Sequence, residues 1–379
     1  MINLELSEEQ TLLADAAERY LRKAIPPSSW KGGEPDSTVE SRVWKDFSEM
    51  GWLALCMAQQ YDGMGGTLAD LAVLMERCGH VHLPSAYLPT IVLGGGVVER
   101  LAIPAVAAPI LEGVVNGSTR LALACGSNVG KGVGTVKAEA STEGTTWTVS
   151  GEHAAVLGGN LADFLIVAAE IGSTADETGS PELGIFVIPA ESPGVIRRTP
   201  GRVGDWQACD IAFRNVQLGA NAFIGRGLEA SQALRSASAR ALVAGASFSV
   251  GVMDELVRIT VDYTRQRVQF GSPLSQFQAV RHKLVDMAVA AEEARSITWL
   301  AALSEEGDPG NFDRVATAAR IKTGRAGRFV AEQAVQLHGA MGVTNELNVG
   351  VHYKGILGYE LVFGATEEHL ENYRRASVL

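Results

Sequence analysis

The residues best equipped for chemistry lie between Tyr263 and Met287, in YTRQRVQFGSPLSQFQAVRHKLVDM. Arg267, Gln269, Phe270 and Gln278 gather around a break at Phe270-Gly271-Ser272-Pro273. A guanidinium, an amide and an aromatic edge at one corner suit a diphosphate and a flat ring. The same residues also suit a plain helix–helix turn with solvated charges, and the local pattern does not choose between these readings.

Positioning that corner requires a helix on each side. Upstream, the apolar pattern predicts a helix over about 228–268. Downstream, Phe277, Val280, Leu284, Met287 and Ala291 recur at three- and four-residue steps, which predicts a second amphipathic helix over about 274–306. Two more are expected over 311–338 and 346–377, with Gly307-Asp308-Pro309-Gly310 separating the second from the third. Four long amphipathic helices with short connections favour a bundle. The first third also reads as helical. Ser7-Glu8-Glu9-Gln10 is a capping box, and the helix after it places Leu12, Leu13, Ala16, Ala17, Tyr20 and Leu21 on one face. Further helices are expected around 44–50 and 68–78, with later breaks at Pro84, Pro89 and Pro104.

Between these helical regions the period changes. Residues 135–141 and 145–150 alternate around Thr142-Glu143-Gly144, which predicts a hairpin. Short strands are expected at 164–168, 185–188 and 210–216, with a polar loop over 172–182. The fold class is therefore α+β: an N-terminal α-helical domain over 1–118, a middle β domain of barrel or sandwich type over 119–224, and a C-terminal four-helix bundle over 225–379.

Composition narrows the function. The 379 residues carry a formal net charge of −11, which argues against a nucleic-acid binder or an anionic-membrane binder. Cys56, Cys78, Cys125 and Cys209 never form a Cys-x-x-Cys pair, which predicts reduced thiols and a cytoplasmic location. Glu5, Glu8 and Glu9 stand where a secretory leader would be basic. The longest uncharged runs are too short to span a bilayer.

With these motifs assembled, the chain resembles the acyl-CoA dehydrogenase family over nearly its whole length. The Leu-Ser-Glu-Glu-Gln start, the glycine turn over 61–67 and Cys78-Gly79 with Leu88-Pro89-Thr90 resemble its N-terminal domain. Arg267-x-x-Phe270-Gly271-x-Pro273 with Gln278 resembles one signature, and the run Gln336-Leu337-His338-Gly339-Ala340-Met341-Gly342-Val343-Thr344-Asn345-Glu346 a second. The resemblance implies FAD as cofactor, bound between the β domain and the C-terminal bundle, with its ADP half touching the neighbouring subunit of a dimer. Arg267, Gln269, Phe270, Gln278, Gln336, Gly339 and Ala340 would clasp that ADP moiety. Small Gly339 and Ala340 would let backbone N–H groups come close, while His338 would donate to a phosphate or merely cap the loop. The implied reaction removes an α-proton from an acyl-CoA with a glutamate, passes a hydride to the flavin, and hands electrons to an electron-transfer flavoprotein.

Four positions depart from that pattern. The family's base lies in a Tyr-Glu-Gly-Thr-like segment, and the matching stretch is Phe363-Gly364-Ala365-Thr366, with Gly364, or Phe363 on a one-residue slip, in the glutamate's place. The alternative position on the first C-terminal helix reads Ser238-Ala239-Arg240-Ala241-Leu242, again without a carboxylate. The strand expected against the flavin ring reads Ala155-Val156-Leu157 rather than Trp-Ile-Thr, and the family's Thr/Ser-Glu-Pro-x-x-Gly-Ser-Asp loop appears as Cys125–Gly132. The ADP clasp looks intact while the ring site and base look eroded, a split similar to the heteromeric acyl-CoA dehydrogenases of bacterial sterol side-chain β-oxidation. The reading is thus a subunit with no catalytic residue of its own, completing the FAD site of a second acyl-CoA dehydrogenase subunit in a heterodimer or α2β2 heterotetramer. Its rivals are a self-sufficient enzyme with a displaced base such as Glu360, and a non-enzymatic scaffold. Gly126–Gly132 fails the P-loop spacing. Cys78, His80 and His82 are metal-ligand types without a second cluster, so no metal is expected.

Overall fold

The computed structural model describes residues 5–33, 37–83, 86–125, 136–140, 146–175, 181–198, 202–203, 206–344 and 347–376. Helices come first: α1 (Glu8–Ala24), α2 (Ser37–Glu49), α3 (Leu68–His80), a π-helix (Leu88–Gly95), α4 (Gly96–Leu101) and α5 (Pro104–Val115). Strands follow: β1 (Leu121–Ala124), β2 (Lys137–Ala140), β3 (Thr146–Leu157), β4 (Phe164–Ala175), β5 (Pro181–Pro189), β6 (Val195–Arg198), β7 (Arg202–Val203), β8 (Trp206–Gly219) and β9 (Phe223–Arg226). Then come α6 (Gly227–Gln266), the short strands β10 (Val268–Gln269) and β11 (Ser272–Pro273), α7 (Gln278–Leu303), α8 (Pro309–His338), α9 (Val349–Phe363) and α10 (Thr366–Ala376). The helical, sheet and helical regions thus follow one another as expected. The chain forms two compact units, one of Met1–Val43, Thr67–Pro84 and Leu242–Leu379, the other of Trp44–Gly66 and Ser85–Ala241.

In the first unit, Ser7 and Gln10 close the expected capping box reciprocally at 3.0 and 3.1 Å. The buried stripe of α1 is rotated from the expected one. Ala14, Ala17 and Leu21 face inward, whereas Leu12 is 69% exposed. Thr67 and Asp70 form a second capping box on α3, and Gln10 Nε2 donates to Asp70 Oδ1 at 2.8 Å, so the two helix starts are tied together. Asp308 caps α8 by accepting from Asn311 N at 2.8 Å. Helix α7 buries Met287, Ala291, Ala294, Thr298 and Ala301, while Phe277, Val280 and Leu284 are only half-buried. The expected final helix over 346–377 is two helices, because Gly364 adopts φ +83° and ψ 154° and ends α9.

In the second unit the strands form a nine-stranded mixed sheet, ordered β6-β8-β3-β2-β4-β5-β9, with β1 pairing β4 and β7 pairing β8 off that path. β2 and β3 pair antiparallel from Lys137↔Ser150 to Ala140↔Trp147, as expected of the hairpin, whose turn lies outside the described residues. β1 and β2 both run parallel to β4. β4 and β5 extend into the stretch expected to be a polar loop. Val149, Leu165, Val167, Phe186, Ile188, Ile211 and Phe213 build the buried face. The π-helix is docked through Thr90, whose Oγ1 donates to Leu121 O at 3.1 Å and accepts from Leu121 N at 3.2 Å, capping the start of β1. Among the described residues no helix is long and apolar enough to cross a membrane.

A charge clamp joins α1 to α3. His80 Nδ1 donates to Glu18 Oε2 at 2.7 Å, and Asp254 Oδ2 lies 3.6 Å from His80 Nε2. Burial opposes charge on Glu18, but His80 and Arg22 outweigh it and draw its pKa down to about 2. Burial likewise lowers His80, yet Asp254 and Glu18 raise it on balance above its ordinary 6.5. Glu18 therefore stabilises the fold above its unfolded pKa, and this is lost as pH falls towards about 2. His80 contributes fully below pH 6.5, and its contribution is lost as pH rises through its raised folded value. The thermal midpoint of the native protein should fall between slightly acid and alkaline pH. His80→Gln should flatten that alkaline slope, and equal slopes in the two proteins would remove His80 from the account.

Candidate functional site

The Arg267–Gln278 corner is a β-hairpin rather than the expected helix–helix turn. β10 and β11 pair as Val268↔Pro273 and Gln269↔Ser272, leaving a two-residue loop of Phe270 and Gly271. Their φ values are +54° and +81°. Two left-handed central residues suit the twist of a tight hairpin, which is why glycine stands at 271. Phe270 tolerates a conformation that side chains rarely adopt, at a cost of order 1 kcal/mol. Its ring is 92% exposed and meets Phe277 edge-on at 6.2 Å. Leu274 N donates to Arg267 O at 2.8 Å and closes the hairpin base. Arg267, Gln269 and Gln278 are exposed, and among the described residues their side chains make no hydrogen bond or ion pair.

The second signature sits at the end of α8. Gln336, Gly339 and Ala340 are exposed. Gly339 caps the helix at φ +60°, ψ −139°, and a Cβ there would meet nothing within 4 Å, so its backbone faces open space. His338 differs, being 4% exposed, with Nδ1 donating to Ala334 O at 2.8 Å. Burial pushes its pKa down. Asn345 and Glu346, at the end of this signature, lie outside the described residues.

Tyr263, which sequence reasoning did not single out, links the two segments. Its ring stacks on His338 at 4.3 Å and 28°, its hydroxyl donates to His338 O at 3.4 Å, and its carbonyl accepts from Arg267 N at 2.8 Å. The four-residue spacing from Tyr263 to Arg267 was the available signal. The assembled donors are one guanidinium, three amides and an open glycine backbone, with no carboxylate among them. This set suits a diphosphate and fits the ADP half of FAD.

The position expected to hold a base is occupied differently. Gly364 is buried, and its φ of +83° with ψ 154° lies where only glycine is at ease. A Cβ there would sit 3.2 Å from His369 Nε2 and 3.4 Å from Glu368 Oε2. Arg320, fully buried on α8, donates from Nη2 to Gly364 O and from Nη1 to Thr366 Oγ1 at 3.3 Å, and lies 4.5 Å over the Tyr359 ring. Thr366 Oγ1 in turn donates to Glu360 Oε1 at 2.9 Å, and Arg328 Nη2 donates to Glu360 Oε2 at 2.6 Å. Glu360 is therefore an acceptor in an ion-paired latch. Arg320 was also missed by sequence reasoning, although an arginine within the small-residue stripe of Ala316, Ala319, Gly324 and Gly327 was the clue.

On the sheet, the stretch expected to face a flavin ring is bulged. The register of β3 against β8 slips between His153 and Val156, and Ala155 takes φ +52°. The Ala155 N–H donates to Asp210 Oδ1 at 2.8 Å, while Val156 and Leu157 turn into the core. Ala155, Val156 and Leu157 carry neither an aromatic ring nor a hydroxyl, and the Ala155 amide is already bonded, so these residues do not fit an isoalloxazine. Of the altered family loop over 125–132, only Cys125 lies among the described residues. Burial pushes the Cys78 thiol up to about 12. Glu76, His80 and Asp254 converge closely enough to hold an ion, but the Arg295 guanidinium already pairs with Asp254 and, at 3.4 Å, with Glu76.

The backbone at 364 yields a direct expectation. Gly364→Ala should destabilise the fold by about 1–3 kcal/mol in denaturant titrations, the cost of a side chain in that conformation. A loss below about 0.5 kcal/mol, the scale of a neutral surface change, would mean the segment relaxes freely.

Comparison with known proteins agrees with this architecture. Residues 7–118 match the acyl-CoA dehydrogenase N-terminal domain, and residues 215–378 match the acyl-CoA dehydrogenase C-terminal domain. The probable acyl-CoA dehydrogenase YngJ of Bacillus subtilis is 25% identical over 92% of this chain and 92% of its own. Among solved structures, the ChsE4–ChsE5 complex of Mycobacterium tuberculosis superposes with a TM-score of 0.86 at 22% identity, covering 100% of this chain and 99% of that one. A variant of the Tcur3481–Tcur3483 steroid ACAD gives a TM-score of 0.84 at 25% identity, covering 98% of each chain. The chain belongs to the acyl-CoA dehydrogenase family of FAD-dependent oxidoreductases.

Proposed function

We propose that this chain is the non-catalytic subunit of a heteromeric acyl-CoA dehydrogenase, completing the FAD site of a partner subunit while performing no proton abstraction itself. The observation that carries the reading is Gly364. The family's base position holds a residue without a side chain, in a backbone conformation that disfavours any side chain, bonded through its carbonyl to buried Arg320. Abstraction of a thioester α-proton needs a carboxylate within hydrogen-bond reach of that carbon. Glu360 is a poor substitute, because Thr366 and Arg328 already occupy its two oxygens.

Bound FAD supplies the hydride acceptor. This chain's part is to hold the far end of that cofactor. Arg267 forks onto the diphosphate, the amides of Gln269, Gln278 and Gln336 add hydrogen bonds, Phe270 covers a flat surface, and Gly339 and Ala340 bring the backbone close. The partner supplies the base and the pocket for the acyl-CoA, and electrons leave to an electron-transfer flavoprotein. The two-chain ChsE4–ChsE5 and Tcur3481–Tcur3483 neighbours support a heteromeric assembly, and the name of the second supports a steroid side chain as the acyl group.

Two substitutions test this in the assembled complex. Arg267→Ala should weaken flavin retention by about 1.5–3 kcal/mol, the range for a charge-assisted contact. Unchanged affinity would remove Arg267 from the site. Changing Glu360, Glu367 and Glu368 together to glutamine should leave kcat within about threefold, since no transition-state contact is lost. A loss of about a hundredfold or more, as expected for a general base, would instead establish a displaced base in this chain.

A further inference from the structure

We propose that Tyr263 and His338 are positioning residues that set Arg267 against the Gly339–Ala340 backbone without either touching the dinucleotide. The proposal rests on the ADP-clasp reading. Arg267 and Gly339 stand on different elements, the hairpin after α6 and the end of α8. One stack joins these two ends: the Tyr263 ring lies on His338 at 4.3 Å, and the Tyr263 hydroxyl donates to the His338 carbonyl at 3.4 Å. That carbonyl stands at the junction of α8 with the short 3-10 turn Gly339–Val343, for which His338 is the N-cap. Tyr263 thus braces the junction from which Gly339 departs, and Arg267 follows four residues later, its amide closing the last turn of α6 on the Tyr263 carbonyl at 2.8 Å.

The chemistry of His338 argues for a platform rather than a ligand. Nδ1–H donates to Ala334 O at 2.8 Å, which leaves Nε2 without a proton in the neutral ring. Burial favours that neutral form. An acceptor nitrogen repels a phosphate oxygen, so the ring acts through its flat face. A stack needs shape and a defined orientation, both of which a phenyl ring retains.

The test uses the assembled, flavin-loaded complex. His338→Ala should weaken flavin affinity about tenfold, and His338→Phe should recover most of that loss, because the stacking surface returns without any polar atom. Tyr263→Ala should also weaken affinity, and should be non-additive with Arg267→Ala, since the joint acts by aiming that guanidinium. Thermal midpoints of the flavin-free complexes, measured in parallel, separate these effects from loss of folding. If His338→Phe is as weak as His338→Ala, the imidazole itself is required and the proposal fails. If Tyr263→Ala and Arg267→Ala add independently, the aiming role fails. If Arg267→Ala alone has no effect, the clasp reading fails, a result distinct from either of the others.

Discussion

A buried guanidinium governs the C-terminal part of this protein. Arg320 lies at zero exposure, with no carboxylate in direct contact among the described residues, held by the Gly364 carbonyl, the Thr366 hydroxyl and the face of Tyr359. Removing a cation from water costs several kcal/mol unless polar partners replace the solvent. The segment from Phe363 to Thr366 must therefore stay where it can solvate Arg320. That requirement ends α9, sets the glycine-only turn at 364, and orients Thr366 to bond Glu360. Gly324, one turn along α8, leaves room for the guanidinium, since a Cβ there would collide with both Arg320 and Thr366.

The consequence for function is a division between two kinds of surface. Around Gly364, Arg320, Thr366, Glu360 and His369 are engaged in hydrogen bonds within the chain. At the Arg267 hairpin and the end of α8 the Arg267 guanidinium and the Gln269 and Gln278 amides stand in solvent with no hydrogen-bond partner among the described residues, the Phe270 ring is exposed beside Phe277, and the hairpin tip bears backbone strain at Phe270. Groups so arranged suit a surface that is covered in the working assembly. On the sheet, the bulge at Ala155 and its bond to Asp210 close the edge where a flavin ring would need a donor. On the proposed reading, the chain holds one end of a cofactor and its partner acts at the other.

Much of this was legible in the residues. The Ser7–Gln10 capping box and the strand pairing of 137–140 with 147–150 followed from local chemistry, whereas the glycine expected in place of a base came from the family resemblance alone. The helix-to-hairpin change at 268–273 did not, because two-residue pairings leave almost no periodic signal, and the turn is recognisable only from Gly271 and the twist it permits. The buried stripe of α1 was misplaced because Leu12 is apolar yet exposed, while small Ala14 faces the core. The break between α9 and α10 depends on Arg320, more than forty residues upstream, and a long-range solvation requirement of that kind has no local signature. Tyr263 was overlooked for the same reason, since its partner His338 is distant in sequence.

The most direct measurement of the central claim is flavin content in the complex formed with its partner acyl-CoA dehydrogenase subunit, determined per chain by absorbance and protein mass. The account predicts one FAD for each pair of unlike chains, and little or none on this chain purified alone. Two FAD per pair, or full flavin loading and bleaching by an acyl-CoA in the isolated chain, would contradict it.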